Sequence, residues 1–363
     1  MEAPDPLLKT ESLKTDFVKR NRYQWILLIT SLLVMVLLVL YAITVGAAKM
    51  SVGQAYRAVI GKLFPWLGSG ALDATELNII WLLRMPRIVM ALVAGIGLAV
   101  SGVVMQGITR NPLVSPFTIG LSNAAAFGAS LAIMFGAKYQ NNGYYAIVIG
   151  AFLFSIGCAI LVYGISALRG MSPETLILTG IALTYLFGAC TATLQMIANE
   201  QQLAAVVQWT FGSLNNASWD KVGVVSVILA LAFPVFMCHA WNLNAMASGG
   251  DEVAKGLGIK ILRVRLITGI MTVLITAGVI SFTGVIGFVG LVGPHIARML
   301  VGGDHRFLIP FAAICGALLL LAADTLGRTL FSPVVIPVGI VVSFLGVPLF
   351  INLILSRKKE YFG

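Results

Sequence analysis

The chain has 363 residues, of which 59% are hydrophobic and 10% are charged, and its mean hydropathy is +0.96. Because soluble domains carry about 25% charged residues, this composition excludes an ordinary soluble protein and predicts a membrane protein. The net charge of +10 is spread over short loops and the N-terminal segment, without a continuous basic face. It therefore indicates topology signals beside anionic lipid and not a nucleic-acid partner.

Ten apolar segments follow one another along the chain. The uncharged stretch from Tyr23 to Ala48 already exceeds the roughly 20 residues that a membrane span requires. The pattern predicts an all-α, polytopic membrane protein of about ten transmembrane helices, with one ten-helix transmembrane domain over residues 24–356. The segments cover residues 24–46, 87–108, 117–137, 144–167, 174–198, 219–240, 262–282, 284–300, 307–326 and 333–356.

The two ends of the chain are expected on the same side of the membrane, because the number of spans is even. Lys and Arg concentrate on the loops of that side, which predicts cytoplasmic N- and C-termini. Residues 1–23 are polar and basic and are expected to form a disordered cytoplasmic tail, and residues 357–363 a cytoplasmic C-terminal tail. The four cysteines stand singly in apolar segments, so neither a disulfide framework nor a metal cluster is expected.

Small residues recur at helical spacing in two places. At residues 281–300, SFTGVIGFVGLVGPHIARML, four glycines stand three apart inside an apolar run; they are Gly284, Gly287, Gly290 and Gly293. At residues 90–102, MALVAGIGLAVSG, a second set of small residues repeats every four positions. Small residues let helix backbones approach closely in lipid, so both stretches predict crowded helices in a tight bundle.

The glycine-rich stretch could instead hold a phosphate or a metal ion. A phosphate-binding P-loop requires GxxxxGK[ST], and no such string occurs in the sequence. His295 follows Pro294, but the chain has three histidines and no HExxH spacing. We therefore expect no metal site and no cofactor bound by this chain, and we expect His295 to bond a neighbouring backbone group at a helix end.

Charged residues near the ends of the spans require a structural or functional reason. Asp324 and Arg328 are four apart on one predicted helix and can form an ion pair. Arg84 and Arg87 lie at the same end of the bundle as Arg328. These arginines could extend to lipid headgroups, or they could bind carboxylates of a docking protein. Asp324 could also serve an ion-driven carrier, although no further carboxylate lies within the spans.

The long hydrophilic connection at residues 242–265 predicts a short amphipathic helix beside the membrane. Gly249 and Gly250 break the chain before it, and Asp251 and Glu252 suit a helix N-terminus. Its apolar face and its end are predicted from Val253, Ala254, Leu257 and Gly258. Such a helix is either a surface lid or a knob that inserts into a groove of a cytoplasmic partner.

Several strings together resemble the FecCD-type, or type II, permease family of ABC importers for iron siderophores, haem and cobalamin. The resemblance covers residues from about 80 to 356, in family order. The strings are LRMPR (83–87), SGVVMQGITRNPLVSPFTIGLSNAAAFGA (101–129), ETLILTGIAL (174–183), QWTFGSL (208–214), GDEVAKGLGI (250–259), GFVGLVGPHIARMLVGGDHRFLIP (287–310), AADTLGR (322–328) and IPVGIVVSFLGVPLFINLIL (336–355).

The resemblance implies the type II ABC importer permease fold in a bacterial cytoplasmic membrane and a chain that is not itself an enzyme. Two ATPase subunits carrying ATP and Mg²⁺ are implied below, a substrate-binding protein above, and a second permease copy or a related permease beside it. The implied cargo is a metal chelate, with a ferric siderophore preferred over haem and cobalamin.

The resemblance also implies roles for particular residues. The docking of the binding protein falls on Arg84, Arg87 and Arg328. The coupling helix that contacts the ATPase lies within residues 242–261 and includes Asp251, Glu252, Ala254, Leu257 and Gly258. A short outer helix is implied near residues 208–219, and the fifth span is expected to line the pathway through Thr191 and Gln195.

Overall fold

The computed structural model describes residues 6–46, 50–64, 66, 74–136, 143–331 and 333–356, with the backbone alone at residues 6–21, 63, 352–354 and 356. The described residues form helices and connecting loops, which confirms the all-α prediction. The helices are α1 Pro6–Thr44, α2 Val52–Leu63, α3 Ala74–Asn78, α4 Met85–Thr109, α5 Leu121–Phe135, α6 Gly143–Ala167, α7 Pro173–Ile197, α8 Glu200–Thr210, α9 Trp219–Cys238, α10 Ala240–Gly256, α11 Ile261–Thr283, α12 Val289–Val301, α13 His305–Thr329 and α14 Val338–Ser356.

Each of the ten predicted segments coincides with an apolar helix. Within the described part of the chain, seven helical runs are long and apolar enough to cross a membrane, and α5, α12 and α14 contain shorter apolar helices. The second run begins at Ala74 and not at residue 87, because α3 continues through a π-helical turn, Ile79–Arg84, into α4. That turn ends two residues before Pro86, which has no backbone N–H to donate to an α-helical hydrogen bond.

The N-terminal segment differs from its prediction. Residues 6–23 are helical and continuous with the first span, whereas the sequence predicted a disordered tail. Extending a helix costs far less than nucleating one, and this segment holds three Leu, three Lys and two Arg, which favour helix. Residues 1–5 and the predicted C-terminal tail, residues 357–363, lie outside the described residues.

The core of the bundle forms where α4 packs against α13 and α12, and the small residues allow this close packing. Ala91, Ala99 and Ser101 are fully buried. A β-carbon added at Gly95 would overlap the backbone of Gly316 in α13. One added at Gly102 would overlap the carbonyl oxygen of Gly290 in α12. The prediction of a crowded helix at residues 90–102 is therefore confirmed.

The glycine-rich stretch is only partly the crowded helix that the sequence predicted. Helix α11 ends at Thr283, and residues 284–288 are not helical. Gly284 has φ +70° and ψ −168°, a conformation that is accessible almost only to glycine. A β-carbon added at Gly287 would meet no atom within 4 Å, whereas Gly290 and Gly293 in α12 pack against α4. Two of the four glycines therefore serve a chain break and not helix packing.

Candidate functional site

Two groups of polar residues lie at opposite ends of the helices. We call the first the arginine end; it holds Arg84, Arg87, Asp324 and Arg328, at the start of α4 and the end of α13. We call the second the loop end; it holds residues 242–261 with the end of α4 and the start of α13. The sequence predicted the arginine end and the short helix of residues 242–261 from charge and turn residues, but not the ends of α4 and α13 beside that helix.

At the arginine end a buried carboxylate lies between two guanidinium groups. Asp324 is fully buried, and its Oδ1 accepts a hydrogen bond from Nε of Arg87 at 2.8 Å and lies 2.8 Å from Nη2 of the same guanidinium. Nε of Arg328 lies 3.1 Å from Asp324 Oδ2. That contact is an ion pair without good hydrogen-bond alignment, since neither atom has a hydrogen-bond partner by geometry. The predicted pair is confirmed, and Arg87 joins it from a helix more than 200 residues away.

Two of the arginines also cap the C-terminal end of α1 by hydrogen bonds to carbonyl groups there. Arg84 donates to the carbonyl of Ile43 at 2.6 Å, and Arg328 donates to the carbonyl of Val45 at 3.1 Å. The last turn of α1 carries no basic residue of its own. Cations stabilise the carbonyl end of a helix, so these two arginines cap α1 from neighbouring helices.

The three arginines predicted to dock a binding protein therefore lie together, but they face inward. Arg84 and Arg328 are 5% and 6% exposed, and Arg87 is 13% exposed. Arg87 also donates to the side chain of Asn215 at 2.5 Å, in the loop after α8. Unlike the contacts of Arg84 and Arg328, the contact of Arg87 with Asn215 is exposed.

At the loop end the chain kinks at Gly250, as the glycine pair predicted. Gly250 has φ +73° and ψ −178° inside α10, which divides that helix in two. A β-carbon at Gly250 would lie 2.7 Å from Nη1 of Arg110. The residues after the kink form the predicted short helix, which ends at Gly256 and is followed by Gly258 with φ +80°.

The exposed face of this short helix differs from the one expected. Leu257 is 67% exposed and Val253 is 53% exposed, and Glu252 and Gly258 are also exposed. Ala254 is fully buried in the core, so the exposed face of the helix does not include this residue of the predicted ATPase contact. A helix has one buried and one exposed face, and the tertiary packing turned Ala254 to the buried one.

Asp251 lies at the start of the short helix, as predicted, and also forms an ion pair with Arg265. Its two carboxylate oxygens accept from Arg265 at 2.8 and 3.0 Å, a two-point contact with a guanidinium that is almost fully buried. Arg265, in the first turns of α11, was not among the residues that the sequence pattern indicated. An arginine inside the start of an apolar span was the signal that could have found it.

A second polar cluster at the loop end ties α10 to the start of α13. Asn244 donates to Asp304 Oδ1 at 2.7 Å and accepts from the backbone N–H of His305 at 2.8 Å. Arg306 also donates to the carboxylate of Asp304. These hydrogen bonds, that from Arg306 first, lower the pKa of Asp304 to about 2. A groove of about 440 Å³ opens beside this cluster, between α10 and the loop before α13.

The two residues predicted to line the pathway lie on α7. The hydroxyl of Thr191 donates to the carbonyl of Phe187 in its own helix at 2.8 Å, and the residue is 8% exposed. Gln195, one turn further on, is partly exposed. The predicted outer helix lies at Glu200–Thr210, and residues 211–218 form a loop, so its predicted place at 208–219 was wrong.

His295 lies in the interior of α12 and inside the bundle, and not at a helix end as predicted. Its ring packs edge-on against Phe350 with centroids 6.2 Å apart, and the residue is 6% exposed. Among the residues that the structure describes, no three His, Cys, Asp or Glu side chains are placed to hold a metal ion.

Comparison with known proteins identifies the family. The profile of the FecCD transport family matches residues 32–356. The chain belongs to the FecCD transport family. It is 43% identical over 330 residues to a protein of Methanocaldococcus jannaschii described as an ABC transporter permease, which covers 88% of this chain and 91% of that protein. It is 37% identical over 286 residues to the hemin transport system permease of Yersinia pestis, covering 78% and 85%.

A solved structure supports the same conclusion about the fold. The structure is described as an inward-facing conformation of a metal-chelate type ABC transporter, and it matches this FecCD family member with a TM-score of 0.79 and 33% identity, covering 91% of this chain and 99% of that chain. The protein is therefore an ABC importer permease with the type II fold, as the resemblance implied.

Proposed function

We propose that this permease moves a metal chelate across the cytoplasmic membrane by alternating access. Two ATPase subunits act on its loop end, and a substrate-binding protein docks at its arginine end. A second permease copy, or a related permease, completes the pathway. Both termini are cytoplasmic in this proposal, which follows from the distribution of Lys and Arg.

The observation that carries the proposal is the short helix after Gly250. It presents Val253 and Leu257, two large apolar residues four positions apart, on the exposed side of a hydrophilic connection. Residues four apart lie on one helical face and can enter a groove of a partner together. The sequence contains no P-loop, and in this proposal ATP and Mg²⁺ bind to that partner.

The cargo class is supported by the relatives. One relative is named for hemin transport, and the matching structure is described as a metal-chelate type transporter. A ferric siderophore is the first candidate for this chain, and haem and cobalamin are the alternatives. Uptake of a labelled ferric hydroxamate, of hemin and of cobalamin into the same proteoliposomes would separate them.

The docking of the ATPase is tested with Leu257→Asp in proteoliposomes that contain the permease and its partner ATPase. A carboxylate in an apolar contact costs desolvation, so we expect ATPase binding to weaken at least about tenfold. Leu168→Asp is the matched control, because Leu168 is 85% exposed near the end of α6 and receives the same charge. Equal loss of binding in both variants, or in neither, would contradict the assignment.

The docking of the binding protein is tested at the Arg87–Asn215 pair. Asn215 is exposed, so Asn215→Asp places a negative charge beside Arg87 without removing a buried cation. If the acidic lobes of a binding protein approach this pair, the association rate should fall and its salt dependence should weaken. The same substitution at Asn199, the exposed cap of α8, is the control.

An ion-driven carrier that uses Asp324 is the competing function. The same vesicles distinguish the two functions. Uptake that persists with an uncoupler and requires ATP supports the importer. Uptake that is abolished by the uncoupler and is indifferent to ATP supports the carrier and overturns the proposal.

A further inference from the structure

Arg265 is the most deeply buried cation at the loop end, and its side chain joins three separate parts of the chain. It is 2% exposed and lies in the first turns of α11. Its guanidinium holds both oxygens of Asp251. It also donates to the carbonyl of Met171 at 2.9 Å and to that of Ile108 at 3.3 Å.

The partners of Arg265 mark the ends of three different helices. Ile108 is the second-last residue of α4, and Met171 forms the turn between α6 and α7. Asp251 opens the short helix whose next residues are exposed. A planar guanidinium with a fixed fork of donors can serve such a set of acceptors at once, whereas an ammonium cannot.

Two residues beside these contacts adopt an unusual backbone conformation. Met171 adopts φ +55° and Gly250 adopts φ +73°, both in the left-handed region. Met171 is also buried, at 1% exposure. The guanidinium of Arg110, which follows α4, lies against Gly250. The end of α4 therefore meets the kink directly, and it meets Asp251 again through Arg265.

We propose that Arg265 is a positioning residue that transmits movement of the helix at residues 251–256 to α4 and α7, at the ends of these helices that lie at the loop end. This inference rests on the proposed function, in which an ATPase moves that helix. The ATPase displaces the exposed face of the helix, and Asp251 transmits this displacement to the guanidinium of Arg265 through their two-point contact. The guanidinium displaces the carbonyls of Ile108 and Met171, and the helices that they end or begin move with them.

Substitution of Arg265 would have different effects if the residue only stabilised the fold and if it transmitted movement. A residue that only stabilises the bundle changes the amount of folded permease, and the folded fraction still couples normally. If Arg265 transmits movement, its substitution leaves ATPase docking and ATP hydrolysis intact in the folded fraction. The loop-end turns of α4 and α7 then no longer move when ATP is added. The readout must therefore be made per folded, ATPase-bound permease.

The experiment uses full-length permease with its partner ATPase in proteoliposomes, with a spin label at Leu168→Cys beside the α6–α7 turn. Cys190 and Cys238 are replaced by serine, because neither is fully buried. In the wild-type background, ATP and Mg²⁺ should change the mobility of the label. With Arg265→Lys we expect that change to fall about tenfold, within the usual range of single coupling terms, while ATPase binding and hydrolysis stay within about twofold. Chelate uptake per ATP hydrolysed should fall in parallel.

The matched control is Arg263→Lys, the same change at an exposed arginine two positions earlier on the same helix. Asp251→Asn is the second arm, because that side chain is 28% exposed and keeps its shape, and it should show the same loss of response. An ATP response in folded Arg265→Lys or Asp251→Asn equal to that of Arg263→Lys overturns the inference. Loss of the folded permease in both arms, with no uncoupled fraction, also overturns it and assigns a structural role.

The outcome for Arg263→Lys separates this inference from the proposed function. If neither the wild type nor Arg263→Lys binds the ATPase or responds to ATP, the proposed function fails first. Suppose instead that the wild type and Arg263→Lys respond to ATP, and that Arg265→Lys and Asp251→Asn respond as strongly. The importer function then stands, and only the transmitting role of Arg265 is overturned.

Discussion

Asp324→Asn is the substitution that tests the arginine end most directly. It keeps the size of the side chain and removes the negative charge that pairs with Arg87 and Arg328. Asp324 is fully buried, whereas Arg87 is 13% exposed and Arg328 is 6% exposed. Two guanidinium groups would then lose the carboxylate that they share, and one of them is buried.

The expected loss of stability follows from this geometry. Removing one partner of a buried ion pair costs about 3 to 5 kcal/mol in soluble proteins. In membranes the unfolded chain finds other partners, which lowers such costs. Asp324 accepts two short contacts from Arg87 and approaches Arg328, so we expect a loss of about 3 kcal/mol in the free energy of unfolding.

The assay is denaturant unfolding in mixed micelles, which gives the free energy of unfolding from a linear extrapolation. The control is Asp220→Asn, since Asp220 is exposed at the start of α9 and should cost less than about 1 kcal/mol. A double variant that adds Arg328→Met should lose less than the sum of the single changes, because the unpaired cation is removed. If Asp324→Asn costs no more than Asp220→Asn, the cluster is hydrated and the reasoning is refuted.

Two further predictions test the chain break and the loop end. Gly284→Ala forces a side chain into a glycine conformation and against the carbonyl of Trp209, so it should lower the free energy of unfolding by about 2 kcal/mol or more; Gly287→Ala meets open space, and equal effects in the two variants would contradict the strain argument. The pKa of Asp304, held at about 2 by its hydrogen bonds, lies below its unfolded value near 3.8, so its contribution is complete above the unfolded pKa and is lost as the pH falls through about 2. The stability difference between wild type and Asp304→Asn should accordingly shrink between about pH 5 and pH 2, and a difference independent of pH would show that Arg306 does not hold that carboxylate.

The sequence predicted the helical class and the number of apolar segments, because both depend on composition and length. A lipid environment requires each span to satisfy its own backbone hydrogen bonds, so an apolar run of sufficient length is a helix whatever its neighbours are. The sequence also predicted the chain break at Gly250, where two glycines directly precede two acidic residues. The same reasoning failed at Gly284, because a glycine that packs a helix and one that ends it look alike in a sequence.

The tertiary structure alone decided which side chains meet and which face of a helix is buried. Ala254 and Leu257 belong to one apolar pattern, yet the bundle buries the first and exposes the second. Arg87 contacts Asp324, and Arg265 contacts Ile108, across sequence separations that no local pattern records. Hydrophobicity fixes where a residue can lie along the membrane normal, whereas the partner of a buried charge depends on how the helices pack around it.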